Sequence, residues 1–310
     1  MTMELRDIEY FVAVAQRGNV GRAAEFLGLS QPALSKSLRR LESSLRTKLV
    51  KKVPKGIELT SVGTAFLAHV GRLKLSLDDV TREVADLTQG RAGHLRVGAN
   101  HFAVDYLLPE AGRRLMQDAP RLTWDVTLAQ NDALVPALRQ GTYDLIIAGV
   151  PEYPQRDLVQ QHLLDNEFVV VVSGGHSLAR KRKVSIVDLA GYPWALSGPE
   201  TLAPQHVERA FGSHGLAPPA QVMCTNAPNL LLHLVAHCGL VGFQPKYDVR
   251  RRSIPGQRLV ELRVPELNWV RRLGLSYRRD AYLSPAAQRF IELLKATAKE
   301  VVVPNRGGTK

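Results

Sequence analysis

Cysteine is almost missing from these 310 residues. Only Cys224 and Cys238 could pair, which excludes a disulfide framework and points to a reducing, cytoplasmic compartment. Long hydrophobic runs are missing too. The longest apolar stretch, from Leu230 to Phe243, is broken by His233, His237 and Gly239 and falls short of the roughly 20 residues that span a bilayer. The first twenty residues carry Glu4, Arg6, Asp7, Glu9 and Arg17 and hold no uninterrupted apolar core, so no secretory signal is expected. The sequence has no Gly-x-Ser-x-Gly elbow, phosphate loop, His-Glu-x-x-His pair or full Gly-x-Gly-x-x-Gly turn. No enzymatic activity and no cofactor are therefore expected. With 45% hydrophobic and 23% charged residues the chain is a folded protein long enough for two or three domains.

Acid is the scarcer charge: 29 Asp and Glu face 41 Lys and Arg, for a net +12. Nucleic acid is thus the first partner to test. The excess is uneven. Between Lys36 and Lys55 eight basic residues stand against one acid, Glu42. Two further clusters, Arg180 to Lys183 and Arg250 to Arg252, sit beside turn-forming residues and read as solvated loops.

The basic window lies inside a helical pattern. Leu5, Ile8, Val12 and Ala15 recur at helical spacing, and Gly18 and Asn19 stop that helix. Val20, Ala23, Ala24 and Leu27 mark a second, short helix whose alanines permit close approach. Gly28 to Ser30 form a turn, Ser30 is a good N-cap, and Pro32 falls in the first turn of a third helix, where its missing N–H costs nothing. Leu34, Leu38, Leu41 and Leu45 would face the core of that helix, with Gln31, Ser35, Arg39 and Glu42 opposite. This is the sequence form of a helix-turn-helix. Gln31 can donate to and accept from a base edge, Ser35 permits close approach, and Lys36, Arg39 and Arg40 can reach guanine edges or phosphates. Two short strands around Lys51 to Gly56 then read as a wing, whose tip, Lys52, Lys55 and Gly56, suits backbone or minor-groove contact.

Ala23-Ala24, the run Leu29-Ser30-Gln31-Pro32-Ala33-Leu34-Ser35, Leu41-Glu42 and Leu59-Thr60 with Gly63 resemble the N-terminal domain of LysR-type transcriptional regulators, and the resemblance extends over the whole chain. It implies that Gln31, Pro32, Ser35 and Lys36 approach the bases and that the wing approaches the minor groove. The sequence departs from the common pattern with Val50 in place of Phe, and with Lys36 and Lys52 in place of Arg. Lysine lacks the bidentate fork of arginine.

From Phe66 the apolar positions run Phe66, Val70, Leu73, Leu77, Val80, Val84 and Leu87, alternately four and three apart. That is an a/d seam over three heptads, on a helix roughly 40 Å long. A second copy of the chain is the expected partner, and a homodimer presents two reading helices to an approximately palindromic site on double-stranded promoter DNA. The resemblance implies homotetramers as well.

Beyond Gly93, strands alternate with helices, which argues for a parallel α/β sheet. The fold class expected is α/β with an N-terminal all-α winged helix-turn-helix and a long linker helix. The resemblance adds two Rossmann-like lobes arranged as in periplasmic binding proteins, with crossovers near Leu163 and Pro265. The expected domains are residues 1–60 for DNA binding, 61–90 for the linker, and 91–310 for effector binding. Within the last, one lobe takes 91–163 and 266–303 and the other 164–265. In such sheets ligands bind beyond the carboxyl ends of strands. Polar residues stand there at Asn100 with His101, Gln130 with Asn131, Ser197 with Gly198, and Thr225 with Asn226. They suit a small anionic or hydroxylated effector such as an organic acid. The resemblance places Asn100, Phe102 and Ser197 on the effector cleft. Each of these polar residues also fits an ordinary N-cap or turn.

Cys224, His233, His237 and Cys238 could be imagined as a metal site, but their spacing fits no zinc module, and packed core residues are the expectation. A redox switch through the cysteines lacks an adjacent Arg or Lys to activate a thiol. Taken together, the residues describe a regulator that reads promoter DNA, senses a small molecule and can meet RNA polymerase. A different class remains open: a metabolite-binding protein or enzyme whose helical head serves assembly.

Overall fold

A computed structural model describes residues 4–89, 93–199, 201–252 and 254–302, leaving aside the side chains of 72, 82, 85–89 and 302. The chain divides into two compact units, Met1–Val84 and Ala85–Lys310. No helix among the described residues is long and apolar enough to cross a membrane.

The first unit contains α1 (Leu5–Arg17), α2 (Val20–Phe26), α3 (Gln31–Ser44), a hairpin of β1 (Val50–Val53) with β2 (Gly56–Leu59), and α4 (Ser61–Gln89). Gly18 ends α1 at φ 61°, a left-handed conformation that costs glycine little. The Asn19 side chain then accepts the Arg22 N–H to open α2 at 3.1 Å. Ile8, Phe11, Val14, Ala23, Ala24, Leu34, Leu38, Leu41 and Leu49 form the core. The buried stripe of α1 is thus rotated from the expected one: Leu5 is exposed, because Phe11 and Val14 give the helix more apolar area to bury. Thr60 links hairpin to α4, its hydroxyl donating to the Lys48 carbonyl at 2.7 Å and accepting the Gly63 N–H at 2.9 Å. A Cβ on Gly63 would stand 2.0 Å from the Leu49 carbonyl oxygen, so only glycine fits.

The second unit runs β3 (His94–Ala99), a π-helical turn (Ala103–Leu107), α5 (Leu108–Asp118), β4 (Thr123–Leu128), α6 (Asn131–Arg139), β5 (Leu145–Gly149) and the long β6 (Leu158–Ser173). There follow α7 (Ile186–Leu189), β7 (Trp194–Leu196), α8 (Leu202–Ser213), β8 (Gln221–Cys224), α9 (Pro228–His237), β9 (Val241–Pro245), α10 (Lys246–Arg251), β10 (Leu259–Leu262), β11 (Trp269–Arg278) and α11 (Pro285–Val302). The strand order is β4-β3-β5-β11-β6-β9-β7-β8, with β10 beside β6.

The sheet is mixed rather than parallel. β4-β3-β5 and β8-β7-β9 are parallel groups, but β11 runs antiparallel to β5, β6 antiparallel to β9, and the two antiparallel to each other. These two strands are the crossovers. The first half of β6 pairs with β11 alone, and its second half also with β9 and β10; Leu163 lies within this strand. The return crossing falls inside β11, around Arg272 and Leu273, and not near Pro265. Leu267 and Trp269 still pack with Phe168, Phe243 and Val264 in the lobe II core, which holds the chain there for several more residues. Lobe I has its own core, centred on Leu107, Leu115, Phe290 and Leu294.

Candidate nucleic-acid interface and effector cleft

Ser30 caps α3 by accepting the Ala33 N–H at 3.3 Å. Gln31, Pro32, Lys36 and Arg39 are exposed, as is Ser30, while Ser35 is half-buried. Arg39 folds back so that its Nε donates to the Ser35 carbonyl at 3.3 Å. On the hairpin, Lys52 and Lys55 are exposed.

Three neighbouring residues do other work than expected. Glu42 is buried at 5% exposure, not on the outer face. Its Oε1 accepts the Leu49 and Val50 N–H groups at 2.9 and 3.3 Å, and Oε2 accepts Lys48 at 2.7 Å, so it fastens the first wing strand to α3. Arg40 donates to both oxygens of Asp7, at 2.5 and 2.7 Å, and to Glu4 at 3.3 Å. It joins α3 to α1 rather than standing free for DNA. Hydrogen bonding from Arg40, aided by Ser37, holds the Asp7 carboxyl below its ordinary pKa. Gly56 faces the head, not solvent: a Cβ there would lie 2.3 Å from the Gly18 carbonyl oxygen, which also accepts the Ile57 N–H at 2.9 Å.

The α4 seam splits in two. Phe66 packs edge-on against Phe11 with centroids 5.4 Å apart, and Val70 is buried in the head core. Leu73, Leu77, Val80 and Val84 are about half exposed, from 47% to 56%. The Leu87 side chain lies outside the described residues.

Between the lobes of the second unit lies a cleft of about 640 Å³, counting its open mouth. Asn100, His101, Phe102, Gln130, Ser197 and Thr225 line it, as expected from the strand ends. Gly198 does not. It is buried, and its N–H is taken by Asn226 Oδ1 at 2.9 Å. Asn100 and Thr225 also cap backbone, accepting the Ala103 and Ala227 N–H groups at 3.0 and 3.1 Å, so the capping and lining readings hold together.

Sequence reasoning missed Asn166, Phe168, Thr201, Gln244, Asp248 and Arg271, which also line the cleft. They come from the crossover strands β6 and β11, from β9, from the residue before α8 and from α10. Their pairing partners lie far away in sequence, so no local signal marked them. Asp248 is 4% exposed, accepts the Tyr106 hydroxyl at 2.6 Å and pairs with Arg252 at 3.2 Å. Burial pushes its carboxyl above the ordinary range. Arg252 also pairs with Asp105, so the Arg250 to Arg252 cluster is no solvated loop: it is the end and cap of α10, tied to lobe I. Phe102, Tyr106 and Tyr247 pack beside it, Tyr247 edge-on to both others and Phe102 tilted against Tyr106, with centroids 4.5 to 5.5 Å apart.

Among the described residues no cluster of His, Cys, Asp and Glu could hold a metal ion. Cys224, His233, His237 and Cys238 are exposed rather than packed, because the apolar face of α9 is carried by Leu231, Leu232, Val235 and Ala236.

A winged helix-turn-helix head joined by a long helix to a two-lobed unit with a polar cleft defines a DNA-binding regulator that carries a ligand receptor. Residues 5–64 match the bacterial regulatory helix-turn-helix protein, lysR family, and residues 88–299 match the LysR substrate binding domain. The chain is 33% identical to the SDS degradation transcriptional activation protein of Pseudomonas sp. (strain ATCC 19151), with 92% of this chain and 93% of that protein covered. It is 28% identical to the HTH-type transcriptional regulator GbpR of Azospirillum brasilense, over 96% of this chain and 87% of that one. In fold it is similar to a full-length OxyR variant from Pseudomonas aeruginosa, with a TM-score of 0.63, 23% identity, and coverage of 96% and 95% of the two chains. CbnR, solved in complex with its target DNA, gives a TM-score of 0.61 at 22% identity, over 95% of this chain and 100% of that one. The chain belongs to the LysR family: it is a DNA-binding transcriptional regulator with an effector-binding domain.

Proposed function

We propose that the protein binds promoter DNA as a homodimer or a pair of homodimers in the cytoplasm, with no catalytic step of its own. Ser30, Gln31, Pro32 and Ser35 would reach base edges, Lys36 and Arg39 guanines or phosphates, and Lys52 and Lys55 the backbone beside the minor groove. The observation that carries this reading is the Ser30-capped helix that leaves Gln31, Lys36 and Arg39 exposed. CbnR has been solved on its target DNA. Leu73, Leu77, Val80 and Val84, continued by Leu87, would pair α4 with a second copy. Phe66 and Val70 would support the seam from the head. The functional division is a head to residue 60, a linker to 90 and a receptor beyond it.

A small organic acid bound at Asn100, His101, Phe102, Gln130, Ser197 and Thr225, with Gly198 behind them, would shift the lobes. That shift would change the angle between paired heads and, through DNA bending, the access of RNA polymerase. Gel-shift titration with the DNA upstream of its own gene tests the reading helix. The double substitution Gln31→Ala with Ser35→Ala should abolish sequence preference while leaving salt-dependent, unspecific binding. Unchanged specific binding would sink the assignment of α3.

A further inference from the structure

Among the described residues the cleft holds one permanent cation, and no carboxylate of theirs stands beside it as a counter-charge. Arg271 reaches the cleft from β11, and among the described lining residues it is the only Lys or Arg. Its Nη2 donates to Asn131 Oδ1 at 2.9 Å, a neutral acceptor, and its Nε is sealed from solvent with no hydrogen-bond partner. No carboxylate among the described residues pairs with it. Among the described lining residues the one carboxylate, Asp248, is already engaged by Tyr106 and Arg252.

The place for this guanidinium is built. A Cβ on Gly149 would lie 2.5 to 2.9 Å from Nε, Nη2 and Cζ of Arg271, so the planar group rests directly on the glycine backbone and a side chain there would push it from its present seat. Asn131 is itself fixed, its Nδ2 donating to the Gly149 carbonyl at 2.6 Å and its Oδ1 accepting the Gly149 N–H at 3.1 Å. A partly buried cation without an anion is costly, and a forked guanidinium matches a carboxylate with two parallel hydrogen bonds.

We infer that Arg271, seated on Gly149 and oriented by Asn131, is the charge anchor that selects a monocarboxylate for the interlobe cleft, leaving the hydroxyl and amide groups of Ser197, Thr225 and Asn166 for the neutral remainder of the ligand. This rests on the reading of the cleft as the effector receptor. One cation among the described lining residues matches one carboxylate, and a second negative charge on the ligand would meet Asp248 and, among those residues, no further cation. A neutral amide of the same shape would leave Arg271 unpaired.

The test is calorimetry and thermal melting of the full chain with sodium glycolate and sodium lactate against glycolamide and lactamide at matched ionic strength. The wild type should bind the carboxylates saturably, with dissociation constants in the millimolar range, and should ignore the amides. Arg271→Met should abolish that response while the unliganded protein melts no lower than wild type, since a partly buried charge without a counter-ion has been removed. Arg271→Lys should bind roughly 10-fold more weakly, keeping the charge without the fork. A merely structural Arg271 would show the reverse, a lower unliganded melting temperature and unchanged carboxylate binding. That result overturns the inference, as does equal binding of the amides or no carboxylate response in the wild type. Ser197→Trp separates the two levels of the argument: carboxylate binding that survives filling of the cleft would remove the receptor reading itself.

Discussion

The Tyr106 hydroxyl donates to Asp248 Oδ1 at 2.6 Å, joining the π-helical turn of lobe I to α10 of lobe II on the rim of the cleft. Arg252 completes the bridge, touching Asp248 on its own helix and Asp105 on the opposite lobe. Because Asp248 is buried, each lost partner leaves a carboxylate that water cannot reach. Tyr106→Phe should lower the stability of the second unit by about 1 to 3 kcal/mol, read from urea unfolding. Arg252→Ala should cost more, since two carboxylates lose their cation. Wild-type unfolding of Tyr106→Phe would mean that the bridge contributes nothing.

Glu42 makes a second prediction, at the joint between α3 and the wing. Its oxygens accept two backbone N–H groups and one ammonium while it is almost sealed from solvent. Glu42→Ala should destabilise the head by about 1 to 3 kcal/mol and weaken DNA binding through a displaced β1. Lys48→Ala should change stability by less than about 1 kcal/mol, because that ammonium is 72% exposed. Circular-dichroism melts of both variants decide the matter, and equal losses would contradict it.

The same residue shows how far the sequence could be read. Periodicity located α3, its Ser30 cap and the leucine face, since these depend on neighbours three and four residues away. It placed Glu42 on the outer face because the strand that Glu42 caps begins eight residues later and folds back on it. The strand ends Asn100, Gln130, Ser197 and Thr225 were legible because turn chemistry is local. Arg271 and Asp248 were not: their places depend on β11 crossing between lobes and on α10 meeting lobe I across 142 residues, from Tyr106 to Asp248. The seam of α4 was legible as a stripe. Its division into a head-packing part and an exposed part depends on Phe11, which no heptad count contains.

Asp7 gives the head a pH dependence of definite sign. Its pKa in the folded state is held down by Arg40, and unfolding returns it to about 3.9. The pair therefore contributes stability that is fully present above about pH 4 and is lost as pH falls through the lower folded value. Between pH 6 and pH 3 the melting temperature of the wild type should drop further than that of Asp7→Asn, which has no charge to lose. Parallel curves for the two proteins would show that the pair adds no pH-dependent stability.

The wing lysines should betray themselves through salt. Lys52 and Lys55 are exposed, and no ion pair of either with a described residue competes with DNA. Each phosphate contact releases condensed counterions, so the logarithmic slope of affinity against salt should become shallower by roughly one per lysine removed. Lys52→Ala with Lys55→Ala should therefore weaken binding to all sequences alike, without changing which sequence is preferred. Lys51→Ala is the control, because Lys51 is paired with Glu58 at 2.9 Å. A slope unchanged in the double variant would take the wing off the DNA.

The exposed half of the α4 seam carries the last prediction. Leu73, Leu77, Val80 and Val84 follow one another at four, three and four residues, the spacing at which side chains interlock with a second helix. Leu77 sits in the middle of them, 47% exposed, and touches none of the head core that Phe66 and Val70 help to build. An aspartate there would place a charge in the seam while costing the isolated chain little. Leu77→Asp should sediment as a monomer at concentrations where the wild type is a dimer, with the melting of the head unchanged. Val70→Asp, by contrast, should unfold the head, because Val70 is buried in it at 8% exposure. If Leu77→Asp leaves the oligomer intact, the surface that pairs two chains lies elsewhere than on α4.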